Sequence, residues 1–163
     1  ENQEIFPILI SAKILQELDV QKNHNILIIG SGSGYLCALA SKLAKQVDAV
    51  EYYPSLTKIS QENIKKAKIK NVHITTEDGS CGIKSTKLYD HIIITPAIPK
   101  LIERYLENLK IGGKIIYIQG TTQNIMPVKM LKKLEHKKYI RSILFETISK
   151  RIIEKQPLKT FDF

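Results

Sequence analysis

ILIIGSGSGY, residues 26–35, is the stretch that decides the fold. An apolar run typical of a buried strand ends in a turn with glycine at every second position, at Gly30, Gly32 and Gly34. Glycine lets a backbone approach a ligand closely because it carries no Cβ atom. The stretch therefore predicts a strand followed by a ligand-binding turn, and the rest of the sequence must indicate which ligand the turn takes.

Helix and strand patterns alternate on both sides of this turn. Apolar spacing and turn residues predict helices over 7–18, 35–44, 54–67 and 99–109, and strands over 25–29, 47–51, 72–75, 89–94 and 114–118. The strands are apolar almost throughout, which is typical of a parallel sheet covered on both faces. We therefore expect an α/β, doubly wound, mostly parallel sheet in a single domain over residues 1–163.

Residues 127–146 leave two alternatives open. They could form one basic amphipathic helix, or two strands over 128–134 and 139–145 joined by a polar turn. Tyr139, Ile143, Leu144 and Phe145 are good sheet formers, and a helix would lack clear caps. We favour a C-terminal antiparallel strand pair.

The net charge of +9 raises the question of nucleic acid. Of 25 basic residues, however, only Arg104, Arg141 and Arg151 are arginine, the residue whose planar fork suits phosphates and guanine edges. The lysines are mostly dispersed along the chain. The pattern favours a solvated surface without a specific nucleic-acid partner.

Cysteine content and hydropathy indicate the cellular compartment in which the protein is expected. Cys37 and Cys81 stand apart, with no C-x-x-C motif and no cluster with histidine, so the sequence predicts neither a zinc site nor a disulfide framework. Cys37 falls in a predicted helix and is expected in the core. With no apolar run of the roughly 18–20 residues that a membrane span needs, we expect a reduced, cytoplasmic protein with no membrane partner.

The glycine turn does not match the common phosphate-binding motifs. A dinucleotide fingerprint needs a third glycine where this chain has Tyr35, and a P-loop needs a lysine that is absent here. The pattern G-x-G-x-G after a first strand is typical of S-adenosylmethionine (SAM) pockets. Glu51 stands at the end of the second predicted strand, where a carboxylate holds ribose hydroxyls, and Asp78-Gly79 follows the third, facing the adenine.

These segments together resemble the protein-L-isoaspartate O-methyltransferase family. GSGSGYLCALASKLA is similar to its glycine motif, AVEYYPSL to its ribose segment, TTEDGSCG to its adenine-side segment, and YDHIIITPAIPKLIERYLENLKIGGKIIYIQG to its fourth strand, helix and following turn. LFETISKRIIEKQPLKTFDF resembles the tail of a short bacterial branch. The resemblance implies SAM as cofactor and a damaged protein or peptide as substrate. The residues expected to bind the cofactor are Gly30, Ser31, Gly32, Ser33, Gly34, Tyr35, Glu51, Tyr52, Asp78 and Gly79.

The departures from the family keep other functions open. Ile28 replaces an acidic residue, Tyr53 replaces the aspartate of E-x-D-P, and Ile5 aligns with the serine of a Q-T-I-S-x-P segment. The N-terminal region that covers the substrate in the family is expected to be largely absent, although the sequence starts at Glu1, and a leading segment could precede it. Alternatives are a SAM-dependent methyltransferase with a different acceptor, and a non-catalytic member that keeps the fold.

No catalytic base is required by the predicted reaction. A free α-carboxylate has a pKa of about 3.3–3.7, so it is ionised at neutral pH before it attacks a methyl group. The histidines His24, His73, His91 and His136 are not clustered in the sequence. Thr95, expected just after the fourth strand, is the candidate catalytic residue, with backbone capping as the alternative role. We expect a monomer.

Overall fold

The structure is a computed structural model that describes residues 8–121 and 125–148. Strands and helices alternate along most of these residues, but no helix is described between the third and fourth strands. The elements in chain order are α1 (Ile8–Leu18), β1 (Asn25–Ile29), α2 (Tyr35–Leu43), β2 (Gln46–Glu51), α3 (Pro54–Lys66), β3 (Val72–Thr76), β4 (Tyr89–Ile98), α4 (Arg104–Glu107), β5 (Leu109–Gln119), β6 (Met126–Glu135) and β7 (Lys138–Thr147).

One sheet with the strand order β3-β2-β1-β4-β5-β6-β7 joins all seven of these strands. The first five are parallel, and β6 and β7 extend the sheet as an antiparallel hairpin. The chain moves outward from β1 in one direction and then returns to place β4 on the other side of β1. This reversal puts the carboxyl ends of β1 and β4 side by side, which is where open α/β sheets bind ligands.

Apolar side chains cover both faces of the sheet, as the strand composition predicts. Ile26, Leu27 and Ile28 of β1 are at most 1% exposed. Helices α1, α2 and α3 pack on one face, together with the buried thiol of Cys37. On the other face, Tyr105 of α4 and the neighbouring loops complete a second cluster. Cys37 is fully buried, so its expected place in the core is confirmed, and this burial raises the pKa of its thiol to about 12.

The first three strands and the first three helices are confirmed to within one residue at the described ends. Pro7, predicted as the start of α1, lies outside the described residues. Pro54 is the first residue of α3, the position where a missing N–H costs nothing and the fixed φ of proline suits a helix. Local patterns suffice here because the apolar spacing within each of these elements matches its own period.

The predicted end of the fourth strand and the helix predicted after it are wrong, whereas the fifth strand predicted over 114–118 is confirmed inside β5. β4 continues through Ile98 instead of ending at 94, and helix α4 has four residues instead of the eleven predicted over 99–109. Leu109 is already in the sheet, paired with Tyr89, and Asn108 accepts the Tyr89 N–H at 2.8 Å. Pairing between distant segments therefore overrides the local helical spacing. The glycine pair at 112–113 lies inside β5.

The strand-pair interpretation of 127–146 is confirmed. β6 and β7 pair from Met126–Thr147 to Glu135–Lys138, and the turn between them contains Lys137 with a φ of +63°. Each strand is three residues longer than predicted, by two residues at one end and one at the other. The family-like tail continues beyond the described residues, which end at Ile148.

Candidate functional site

The glycine turn lies at the carboxyl edge of the sheet, between β1 and α2. The Gly30 N–H donates to the Val50 carbonyl at 2.8 Å, which anchors the turn to the end of β2. Gly30 has a φ of +86°, and a Cβ there would lie 2.4 Å from Oγ1 of Thr95. This first glycine is therefore required by both backbone conformation and close packing.

Gly32 differs from its two glycine neighbours because it faces open space. Its φ is +53°, yet an added Cβ would meet no atom within 4 Å. At Gly34, by contrast, a Cβ would lie 3.2 Å from Ser60 of α3. Packing thus explains the glycines at the two ends of the turn, and Gly32 leaves a stretch of bare backbone accessible from the carboxyl edge.

The carboxylate of Glu51 is bonded to the backbone of Gly32. Glu51 ends β2 and is only 6% exposed. Oε2 accepts the Gly32 N–H at 2.9 Å, and Oε1 accepts the Tyr53 N–H at 3.2 Å. An ionised carboxylate has about four lone-pair sites, so these two bonds fix its orientation and leave acceptor capacity for further donors such as hydroxyl groups.

Thr95 lies beneath the turn, within β4 instead of after it. Its hydroxyl lies 3.0 Å from the carbonyl oxygens of both Ile29 and Gly30, to which it donates. The side chain is half-buried. Its contacts are those of a residue that caps the backbone, which is the role expected as the alternative to a catalytic one. The hydroxyl therefore fixes the path of the chain as it leaves β1.

The Asp78-Gly79 turn follows β3 on the same edge of the sheet. Asp78 is half-buried, and its Oδ1 accepts the Ser80 N–H at 2.9 Å. Gly79 is buried, and a Cβ there would lie 2.8 Å from Cγ2 of Ile29 and 3.1 Å from the Tyr105 hydroxyl. That hydroxyl donates to the Gly79 carbonyl. The turn is thus held directly against β1.

Tyr35 and Tyr52 stand at the rim of the site. Tyr35 begins α2 directly after the glycine turn and is 37% exposed. Tyr52 follows Glu51 and is 39% exposed, with its ring in edge contact with Tyr53. Both rings therefore have surface available to a flat or apolar ligand group.

Supporting residues from α3 and α4 were missed by the sequence interpretation. Ser31 shares a buried hydrogen bond of 3.2 Å with Ser60, and Asn63 donates to the Ser33 carbonyl at 2.9 Å. Tyr105 holds Gly79 as described above. The sequence did contain a signal for Ser60. This polar residue lies with Thr57 and Ile64 on the buried face of the helix, where apolar residues are usual, and a polar residue at such a position indicates a hydrogen-bond partner. Tyr105 gave no comparable local signal.

The histidines do not contribute to this edge. His91 pairs with Ile26 near the start of β1, and its Nε2 lies 3.0 Å from Nδ1 of His24. Burial lowers the pKa of His91 to about 4, and the nearby charges of His24 and Lys114 act in the same direction. His91 is therefore neutral at physiological pH and belongs to the amino edge of the sheet.

These features define a class of protein. A parallel sheet whose first strand ends in an open glycine turn and whose second ends in a buried carboxylate is a Rossmann-like nucleotide-binding fold. Solved structures of similar fold include a protein-L-isoaspartate O-methyltransferase, with a TM-score of 0.79 and 25% identity over 87% of this chain and 46% of that one.

The chain belongs to the protein-L-isoaspartate(D-aspartate) O-methyltransferase family, whose model matches residues 1–152. A relative from Pyrococcus horikoshii, named protein-L-isoaspartate O-methyltransferase, is 36% identical over 111 residues, which cover 68% of this chain and 50% of the relative. The chain thus spans about half the length of that curated relative. A structure of a putative family member from Plasmodium falciparum in complex with S-adenosyl-L-homocysteine shares the fold, with a TM-score of 0.74 and 22% identity over 89% of this chain and 72% of that one.

Among the helices of the described residues, none is both long and apolar enough to cross a membrane.

Proposed function

We propose that this chain binds SAM at the glycine turn and transfers its methyl group to the free carboxylate of isoaspartyl residues in damaged proteins. The observation that carries the proposal is the open backbone at Gly32 beside the buried carboxylate of Glu51. Family membership supports the choice of ligand and acceptor. The residues that we assign to cofactor binding are Gly30, Ser31, Gly32, Ser33, Gly34, Tyr35, Glu51, Tyr52, Asp78 and Gly79.

The polar groups of the site fit an adenosine derivative. The remaining lone pairs of Glu51 would accept the ribose hydroxyls, and the carboxylate of Asp78 would accept from the adenine amino group. The bare backbone at Gly32 would lie against the methionine part of SAM. A side chain at position 32 would fill the space that this part of the ligand needs. Each proposed contact uses a group that the fold already positions at the carboxyl edge.

The reaction needs positioning more than acid–base chemistry. When bound, SAM supplies an electrophilic methyl carbon, which a carboxylate oxygen attacks in line as the bond from that carbon to sulfur breaks. The acceptor is already ionised at neutral pH, so this chain's residues need to orient it and exclude water. We propose that Thr95 serves this purpose indirectly, by holding the turn through the carbonyls of Ile29 and Gly30.

Calorimetric titration with SAM and with S-adenosylhomocysteine tests the cofactor site. We expect Gly32→Leu to abolish measurable binding, because the side chain fills the ligand space without touching the protein. Gly112→Leu is the matched control, since Gly112 also has a positive φ, of +81°, and open space around its Cβ, but lies inside β5. Both variants carry the same kind of backbone strain. Equal loss of binding in the two variants, or no binding by the parent chain, would contradict the proposed site.

Methyl transfer to an isoaspartyl peptide tests the acceptor. The expected result is incorporation of the methyl group into the isoaspartyl peptide and none into its normal aspartyl twin. SAM binding without transfer to either peptide, but with transfer to another acceptor, would favour a methyltransferase of changed specificity. SAM binding without any transfer would favour the non-catalytic alternative.

A further inference from the structure

A groove separate from the glycine turn lies beside the C-terminal hairpin. It has a volume of about 710 Å³ and is bounded by residues 99–107 on one side and by the outer part of the sheet on the other. Tyr117, Tyr139 and Ile143 contribute aromatic and apolar surface to its lining. Ile143 is 66% exposed, so this apolar surface is not covered by the described residues. We name this feature the hairpin groove.

Basic side chains dominate the hairpin groove. Lys100, Lys129, Lys137 and Arg141 line it, and none of these four side chains has a hydrogen bond or ion pair with another described residue. Lys133 also lines it, but its ammonium group is bound to the carbonyls of Leu106 and Leu109 at 2.8 and 2.7 Å. The four available cations therefore surround an apolar surface and can pair with an acidic partner.

Cross-strand pairing brings cations and apolar groups onto one face. Tyr117 pairs with Lys129, which in turn pairs with Ile143, and Leu131 pairs with Arg141. Arg141 is close enough to lower the pKa of Tyr117, although burial raises that pKa overall. Because neighbours across an antiparallel pair are in direct contact, the alternation of charge and apolar surface is fixed by the sheet itself.

The hairpin groove extends to the carboxyl edge of the sheet. Gln119, one of its lining residues, pairs with Ile98 at the end of β4 and donates to the Pro99 carbonyl at 3.0 Å. Thr95 lies three positions before Ile98 on the same strand. An extended chain placed in the groove would therefore leave it on the side of the sheet where the glycine turn lies.

We propose that the hairpin groove docks acidic, partly apolar segments flanking the isoaspartyl residue of a protein substrate. This inference rests on the proposed function and adds the class of sequence that the enzyme selects. The cations would bind the acidic side chains of the segment, and Tyr139 and Ile143 would contact its apolar residues. Binding of this kind lies outside the reacting groups, so it acts on substrate affinity.

A peptide is favoured over the other candidate occupants. Of the four available cations only Arg141 has the planar fork that suits phosphates, and the exposed apolar surface of Ile143 offers no partner to the continuous charge of a nucleic-acid backbone. The chain's own residues 149–163 carry four basic and two acidic side chains, so their charge has the same sign as that of the groove. An acidic peptide with apolar residues matches both the charge and the surface.

Fluorescence anisotropy tests the docking site without methyl transfer. The probe is a labelled nine-residue peptide in which glutamate alternates with leucine, and its twin has glutamine in place of glutamate. We expect Lys129→Gln with Arg141→Gln to weaken binding of the acidic probe about tenfold at low salt, and binding to fall with ionic strength. The control is Lys65→Gln with Lys66→Gln, which removes the same charge from exposed positions on α3. Thermal melting of both double variants verifies that each is folded.

Several outcomes would overturn the proposal. Equal binding of the acidic probe and its glutamine twin, or equal weakening of binding by the control variant, would show that the groove cations do not select the peptide. Tighter binding of a single-stranded RNA that competes for the groove would favour nucleic acid as the occupant. A fourth contrary outcome is a large gain in peptide affinity when the chain is ended after Ile148. The last would indicate that the chain's own C-terminal residues fill the groove.

Kinetics separate this inference from the proposed function. With isoaspartyl peptides as substrates, the groove variant should raise KM for an acidic peptide about tenfold and leave kcat unchanged, with little effect on a neutral peptide. Methyl transfer without charge preference would contradict the docking groove alone. Peptide binding in the groove without methyl transfer would contradict the proposed function alone.

Discussion

The two edges of the parallel sheet are built in different ways. At the amino edge, side chains close the structure: Asp90 accepts the Asn25 N–H at 2.8 Å and pairs with Lys110 at 2.9 Å, and His91 contacts His24. At the carboxyl edge, backbone groups of the glycine turn carry much of the bonding, and Gly32 remains open. The comparison indicates that the amino edge serves stability, whereas the carboxyl edge keeps surface available for a ligand.

The largest expected effect is at the amino edge and depends on pH. His91 is 4% exposed, and its Nδ1 has no hydrogen-bond partner in the described residues. Burial lowers its pKa from the ordinary 6.5 to about 4, so the unfolded chain takes up a proton on this side chain between these values and the folded chain does not. Stability is therefore full above pH 6.5 and falls as the pH drops towards 4, by up to about 3 kcal/mol from this group.

Urea unfolding at pH 7.5 and pH 4.5 measures this loss. We expect His91→Gln to remove most of the corresponding pH dependence, whatever its effect on stability at pH 7.5. His73→Gln, at an exposed position on β3, is the control and should leave the dependence unchanged. The groups facing His91 are His24, Lys114, Asp90 and Asp19, and they remain in both variants. An unchanged pH dependence in His91→Gln would show that the amino edge does not hold a neutral buried histidine.

Gly79 is a position at the carboxyl edge where we expect a substitution to lower the stability of the fold. A Cβ there would lie 2.8 Å from Cγ2 of Ile29, so Gly79→Ala forces the turn away from β1. We expect Gly79→Ala to lower the free energy of unfolding by about 2 kcal/mol, within the range for overpacked sites. Urea unfolding of the single variant gives the value.

A double-mutant cycle identifies the cause of that loss. Ile29→Leu moves the methyl branch away from Cβ, so the double variant Gly79→Ala with Ile29→Leu should be more stable than the sum of the two single effects predicts. Additive effects would show that the contact with Ile29 is not what makes a glycine necessary at this position.

Sequence patterns predicted the parts of this molecule that depend on neighbouring residues. β1 matches its prediction at both ends, and Glu51 was assigned from its place at the end of a strand. The helix expected over 99–109 failed because Leu109 pairs with Tyr89, twenty positions away, and only the folded sheet brings them together. The same reason applies to the bond from Gly32 to Glu51, the contact of Tyr105 with Gly79 and the hairpin groove. Each of them joins segments that are far apart in the sequence, so local patterns could not predict the contact.

The smallest expected effect concerns Thr95 and distinguishes positioning from catalysis. Thr95→Val keeps the shape of the side chain but removes the hydroxyl that donates to the carbonyls of Ile29 and Gly30. We expect a loss of about 1 kcal/mol in stability and a similar loss in the binding free energy of SAM, because one hydrogen bond that holds the turn is missing. Urea unfolding and calorimetry measure the two quantities.

Thr95→Ser retains the hydroxyl and should restore both properties. If Thr95 instead contacted the reacting groups, Thr95→Val would lower kcat by about a hundredfold or more while the affinity for SAM stayed the same, since the lost interaction would then act only in the transition state. That result would assign Thr95 to catalysis. Parallel losses in stability and SAM affinity, rescued by serine, would instead assign it to the support of the glycine turn, where backbone geometry rather than a reactive side chain determines what the carboxyl edge can bind.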